Sequence, residues 1–289
     1  MVNCMRVCDV KKKWSMIKYD LSYGVSNQYG VYLLLIIVTL ISCNGFYHYG
    51  EQLVKYKYTQ ERPGGYDLYL NLFQGVEPFK PFSGMRYIVP IYWMTVGFLI
   101  VYSVSSFAHD DFQGSGELRI LYAGGRKAWI IGKTVWVVLQ VLMDFLVIWF
   151  GILLYSFFQD IPLRGYLSEG VWTNTFPGLI YHDTESYIVV TLLLPILGFL
   201  AIACLEMLIS VLTNPAIAMA FGCSVLVISS FSGKIWLLGN HAMWMRFSDF
   251  ARSGIDRISA LIVDLVVITG SLYFFSAVIR KKDLLPERG

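Results

Sequence analysis

The chain has 289 residues, 56% of them apolar and only 15% charged, with a formal net charge of +3 and a positive mean hydropathy. That balance excludes an ordinary soluble domain and points to a chain that lives in a lipid bilayer. Six long apolar stretches take up about half of the residues and leave no room for a soluble catalytic domain, and nothing points to a nucleic-acid partner.

The first polar segment, 11–21, is basic and aromatic, with Lys11, Lys12, Lys13, Trp14, Ile17 and Lys18. Trp14, Ile17 and Leu21 are spaced three and four apart and share one helical face. Its lysines can snorkel toward anionic headgroups, so the segment reads either as an interfacial helix on the inner leaflet or as a plain positive-inside anchor. A first span is expected at 30–48. Lys11, Lys12, Lys13 and Lys18 all precede it and its exit offers no small-residue cleavage site, so it reads as a retained span and not a secretory signal.

Residues 49–84 are expected to form an external loop, marked by Gly64-Gly65 and the polar run 56–67, with Tyr66, Tyr69, Phe73 and Phe79 at headgroup level. Further spans are expected at 85–108, 128–158, 186–211, 215–232 and 258–279. At about 1.5 Å per residue the third is about 45 Å long and overruns the hydrocarbon core. A second external loop, 159–185, carries the turn formers Pro162, Gly165, Gly170 and Pro177. At Thr213-Asn214-Pro215 a tight turn should cap the fifth span, with Pro215 at its first position.

Compact basic clusters set topology. Arg6, Lys11, Lys12, Lys13, Lys18, Arg119, Arg126, Lys127, Arg280, Lys281, Lys282 and Arg288 lie on one side in compact clusters against span ends, whereas the basic residues of the other side are interspersed with acids. Both termini are therefore expected in the cytoplasm.

The loop between the second and third spans, 109–127, holds Asp111 and Phe112 ahead of a Gly-Ser-Gly turn. Glu117 to Ala123 is then expected to form a short amphipathic helix with Leu118, Leu121 and Tyr122 on one side. Such a helix suits docking into a groove of another protein, or it merely reverses the chain along the surface. Arg126 and Lys133, seven apart, fall roughly on one face of the following helix.

Three acids lie inside spans: Asp144, Glu206 and Asp264. Intramembrane carboxyls are costly and face protein or a wet cavity, where they recognise a cation, relay a proton or pair across helices. Asp144 is the deepest, Glu206 lies near the inner end, and Asp264 is close enough to the outer end for interfacial hydration. Between the fifth and sixth spans, 234–248 is apolar but too short to cross. With Trp236, His241 and Trp244, it reads as short re-entrant or interfacial helices, or as part of an aromatic belt.

Cys4, Cys8, Cys43, Cys204 and Cys223 suggest neither a disulfide framework nor a metal site. There is no phosphate-binding Gly-x-x-x-x-Gly-Lys-Ser/Thr loop, no His-Glu-x-x-His and no Gly-x-Ser-x-Gly, so the chain is not expected to be an enzyme itself. Energy for transport would come from an ion gradient or from a partner protein.

Asp111, Gly116, Leu121, Arg126, Trp129 and Lys133, together with the closing stretch from Tyr273 to Asp283, resemble the permease subunits of type-2 (ABC-2) ATP-binding-cassette transporters. The resemblance covers nearly the whole chain in architecture. It departs at Gly125, where the family commonly has serine. It implies an all-α single transmembrane domain over 1–289, with six spans, an elbow helix at 11–21, a coupling loop at 109–127 and re-entrant helices between spans five and six. It further implies a bacterial cytoplasmic-membrane exporter of a hydrophobic or amphipathic cargo, such as an antimicrobial peptide or drug. The partners would be cytoplasmic ATPase subunits that hold ATP and magnesium, and a second permease, identical or homologous. Coupling would pass through 116–126, with Asp111 and Lys133 flanking it. The alternative is an ion-gradient-driven secondary transporter that uses the intramembrane acids.

Overall fold

The computed structural model describes residues 18, 22, 24–79, 87–105, 107, 125–176, 188–251 and 254–281. The regular structure is helical, and among the described residues no strand forms beyond an isolated bridge between Phe247 and Ile255. Among the described residues four helices are long and apolar enough to cross a membrane: α1 (Tyr29–Lys55), α4 (Arg126–Phe158), α6 (Leu194–Leu212, entered through a wider turn at Val189–Leu193) and α8 (Arg257–Lys281). Two shorter apolar helices, α3 (Ile91–Ser105) and α7 (Pro215–Phe231), lie among them. Small helices α2 (Gly65–Phe73) and α5 (Glu169–Thr175), and tight turns at Leu238–Ala242 and Trp244–Arg246, complete the described elements.

The boundaries follow from local chemistry. Pro195 has no N–H to donate and its ring would strike the carbonyl of Thr191. The helix therefore widens over Val189–Leu193 before α6 resumes. The expected cap is present at α7, where Asn214 Oδ1 accepts from the Ile217 N–H at 2.9 Å and Pro215 takes the first turn. With 33 residues, α4 is about 50 Å long and longer than a hydrocarbon core.

At the centre, α6 packs against α3, α4, α7, α8 and the turn at 238–242, while α1 pairs with α4. Ala201, Ala203 and Gly198 on α6 are small enough to let neighbours approach closely. The most peripheral of the four long helices is α8, which turns Ile258, Ile262, Val266, Tyr273 and Phe274 outward. Outward apolar side chains of this kind suit lipid contact.

The region expected as an open loop at 49–84 is different. Helix α1 continues to Lys55, and α2 packs its length against α1, α3 and α4. Tyr69 and Phe73 are fully buried, where headgroup-level packing was expected. Tyr69 stacks on Trp149 and Phe73 on Phe145, so a chain segment too short to span is folded into the helical core by its aromatics.

Candidate functional site

Helix α4 carries a buried stripe at helical spacing, including Trp129, Lys133, Trp136, Gln140 and Asp144. Gln140 and Asp144, one turn apart, share a face, and Gln140 Nε2 donates to Asp144 Oδ1 at 3.0 Å. Ser103 of α3 reaches Asp144 Oδ2 at 2.8 Å, and Tyr32 of α1 donates its hydroxyl to Gln140 Oε1 at 3.1 Å. Gln28 Nε2 donates to the Ser103 carbonyl at 3.0 Å. Asp144 is thus the knot of a buried network joining α1, α3 and α4. The Ser103 hydroxyl also lies 2.7 Å from the Ile100 carbonyl, so its single hydrogen faces two acceptors.

About three turns before Asp144 on α4, Lys133 is fully buried. Its Nζ stands 4.0 Å over the Phe107 ring and 5.6 Å from the Trp129 ring, and Phe107 stacks on Trp136 at 3.9 Å. An ammonium held over aromatic faces gains from their quadrupoles, the more so when desolvated. At the first residue of α4, Arg126 Nη1 donates to the Arg280 carbonyl, tying this end to the last turn of α8. Of the sequence-predicted coupling residues, Asp111, Gly116, Glu117, Leu118, Leu121 and Tyr122 lie outside the described residues, as do Lys11, Lys12, Lys13, Trp14 and Ile17; Lys18 is described and exposed.

Asp144, Glu206 and Asp264 occupy three separate surroundings. Glu206 is fully buried on α6 against Gly222 of α7, and among the described residues neither carboxyl oxygen has a hydrogen-bond partner. Asp264 is likewise fully buried, so hydration at the outer end does not satisfy it. Instead its Oδ1 meets His241 Nδ1 at 2.7 Å, and His241 Nε2 meets the Ile235 carbonyl at 2.8 Å. Among the described residues no group of three or more His, Cys, Asp or Glu side chains is placed to hold a metal.

The segment around His241 is firmly built. Asn240 Nδ2 donates to the carbonyls of Ser232 and Lys234, and Trp93 Nε1 to that of Ala242. Trp244 is fully buried and donates to the Leu70 carbonyl at 2.8 Å, which removes it from any aromatic belt. Trp236 is 69% exposed and stays available for one. Arg246 Nη2 caps the end of α7 by donating to the Ser229 and Ser230 carbonyls.

Sequence reasoning missed Asp67. It is fully buried and accepts four hydrogen bonds: from the Gly64 N–H at 2.7 Å, the Ser168 N–H at 2.9 Å, the Ser168 hydroxyl at 2.6 Å and Trp172 Nε1 at 2.8 Å. Its place three residues after Gly64 marks a helix start, the only local sign of its role. Trp172 also packs edge-on against Trp244, so the segments 61–73, 159–176 and 237–250 form one cap at this end of the bundle. Beside it a cleft of about 500 Å³ is lined by Tyr47, Glu61, Arg62, Asp160 and Arg164.

No family model, curated protein or solved structure matches this chain.

Proposed function

We propose that this chain is the permease subunit of an ATP-driven exporter of the bacterial cytoplasmic membrane, with a hydrophobic or amphipathic cargo such as an antimicrobial peptide or drug. In this reading α1, α3, α4, α6, α7 and α8 are six spans with both termini in the cytoplasm. The basic segment 11–21 is an elbow helix at the inner surface, and the turns between α7 and α8 are re-entrant. ATP and magnesium belong to separate cytoplasmic ATPase subunits, and a second permease, identical or homologous, completes the pathway.

The observation that carries this reading is the construction at the start of α4. The connection from α3 to α4 holds the amphipathic stretch 117–123. On its α3 side stands Phe107, and on its α4 side stand Arg126 and Lys133. Phe107 is clamped to α4 by Lys133 and Trp136, and Arg126 is tied to α8. A partner that pushed on this connection would move α3, α4 and α8 together, which is what a helical bundle needs in order to be driven from one end. Close packing favours such rigid transmission over local give. The gradient-driven alternative draws less support from Asp144, whose two oxygens are engaged by Gln140 and Ser103.

The test is the native complex, gently solubilised and assayed for co-purifying ATPase with candidate peptides and drugs added, wild type beside Leu121→Asp. The expected result is an ATPase whose stimulation by cargo falls at least about tenfold in the variant, about 1.4 kcal/mol of lost coupling. A monodisperse chain with no ATPase partner would overturn the proposal.

A further inference from the structure

Four carboxyl groups are fully buried among the described residues, and three of them are answered. Asp67 has four donors, Asp144 has Gln140 and Ser103, and Asp264 has His241. Glu206 has none: it is 0% exposed and both Oε1 and Oε2 lack a hydrogen-bond partner. Among the described residues no hydrogen-bond donor reaches either oxygen to offset this burial. A carboxylate ion stripped of water and given neither donor nor counter-charge is among the costliest groups to bury, and the neutral acid is far cheaper.

The surroundings are cut to fit this group. Opposite it α7 has Gly222, where an added Cβ would fall 2.0 Å from Glu206 Oε1 and 2.8 Å from its Cδ. The same Cβ would lie 3.0 Å from Val101 of α3, so the carboxyl fills a junction of α3, α6 and α7 that exists because residue 222 has no side chain. No cluster of ligating side chains marks a metal ion here among the described residues. The species that one isolated carboxyl binds in an apolar junction is a proton.

We propose that Glu206 is a proton-binding site, loaded while α6 and α7 are closed at Gly222 and unloaded when α7 withdraws and water enters the junction. On unloading, the carboxyl O–H bond breaks, the electron pair stays on the carboxylate, and the proton passes to water as hydronium. On closure the reverse transfer restores the neutral acid before the site dries. The α6–α7 contact then carries one proton per opening cycle, whatever drives the opening. This inference does not depend on the export reading, because its test uses this chain alone.

The experiment is infrared spectroscopy of the full chain in lipid nanodiscs at neutral pH, with glutamate carbon-13 labelled at the side-chain carboxyl. The other described glutamates, at positions 51, 61, 77 and 169, are partly or fully exposed, and comparison with Glu206→Gln assigns the band of the buried one. The expected result is a glutamic-acid C=O band at the high-frequency end typical of acids without hydrogen bonds, downshifted in deuterium oxide and absent in Glu206→Gln. Gly222→Ala, whose methyl overlaps Oε1, is expected to displace the carboxyl and shift or abolish that band. If wild type shows only carboxylate bands, Glu206 is not a loaded site and the proposal falls. A band left in place and unshifted by Gly222→Ala would overturn the link to the α6–α7 contact.

Discussion

His241 Nδ1 stands 2.7 Å from Asp264 Oδ1 while its Nε2 stands 2.8 Å from the Ile235 carbonyl oxygen. A carbonyl can only accept, so Nε2 carries a hydrogen, and the contact between Nδ1 and Oδ1 holds one more. Whether that hydrogen sits nearer nitrogen or oxygen, the pair as a whole is neutral. It latches the turn at 238–242 onto α8 without placing net charge in the buried interior.

The latch discriminates between two substitutions. In Asp264→Asn a flipped amide donates to Nδ1 and preserves both contacts of the imidazole, so thermal unfolding in detergent should stay within about 1 kcal/mol of wild type. Asp264→Ala strands the buried imidazole and should cost about 1–3 kcal/mol. Equal damage from the two variants would show that this hydrogen-bond geometry is not what holds the turn.

Asp67 predicts the opposite pattern. All four of its contacts are donated to it, by Gly64, Ser168 (twice) and Trp172. An asparagine would turn an NH2 group toward donors, so Asp67→Asn should be nearly as harmful as Asp67→Ala, at about 2–4 kcal/mol. The readout is limited proteolysis of 159–176 together with Trp172 emission, since the cap should detach while the helical content persists. Unchanged cleavage in Asp67→Asn would refute the clamp.

A smaller effect is expected at the start of α8. Asp256 Oδ2 accepts from the Ser259 N–H at 2.9 Å and its hydroxyl at 2.8 Å, and these bonds hold the Asp256 carboxyl below its ordinary value. A carboxyl depressed in the folded state adds stability that is complete above its unfolded value and disappears as pH falls through the folded one. Asp256→Ala should therefore cost about 0.5–1 kcal/mol at neutral pH, the low end for a cap because the site is exposed. The difference between variant and wild type should shrink below about pH 4. Melting curves at neutral and acid pH check both statements, and a gap that widens on acidification would contradict them.

Much of the helical skeleton was legible because it is written locally. The apolar run at 128–158 anticipated α4 to within two residues at its start, and Asn214-Pro215 marked the start of α7. The second span was read as starting too early: residues 87–90 lie outside the helix, which begins at Ile91. Apolar residues beside Pro90 count toward hydropathy although they lie outside the helix. The burial of α2 was not legible. Gly64-Gly65 and the polar residues before them signal a turn, and no window around them reveals that Tyr69 will find Trp149 and Phe73 will find Phe145.

The candidate acids divide the same way. Periodicity placed Asp144, Glu206 and Asp264 within apolar helices, and their cost in that setting made them conspicuous. Their fates depend on residues far along the chain: Ser103 is 41 positions from Asp144, His241 is 23 from Asp264, and Ser168 is 101 from Asp67. Composition and hydrophobic period, which sum over neighbours, determined that this protein is helical and suited to a membrane. Which buried carboxyl is clamped, which is paired with an imidazole and which stands alone against a glycine was decided only by the tertiary structure. A hydrogen bond acts over about 3 Å, and the packing of whole helices sets which groups come that close.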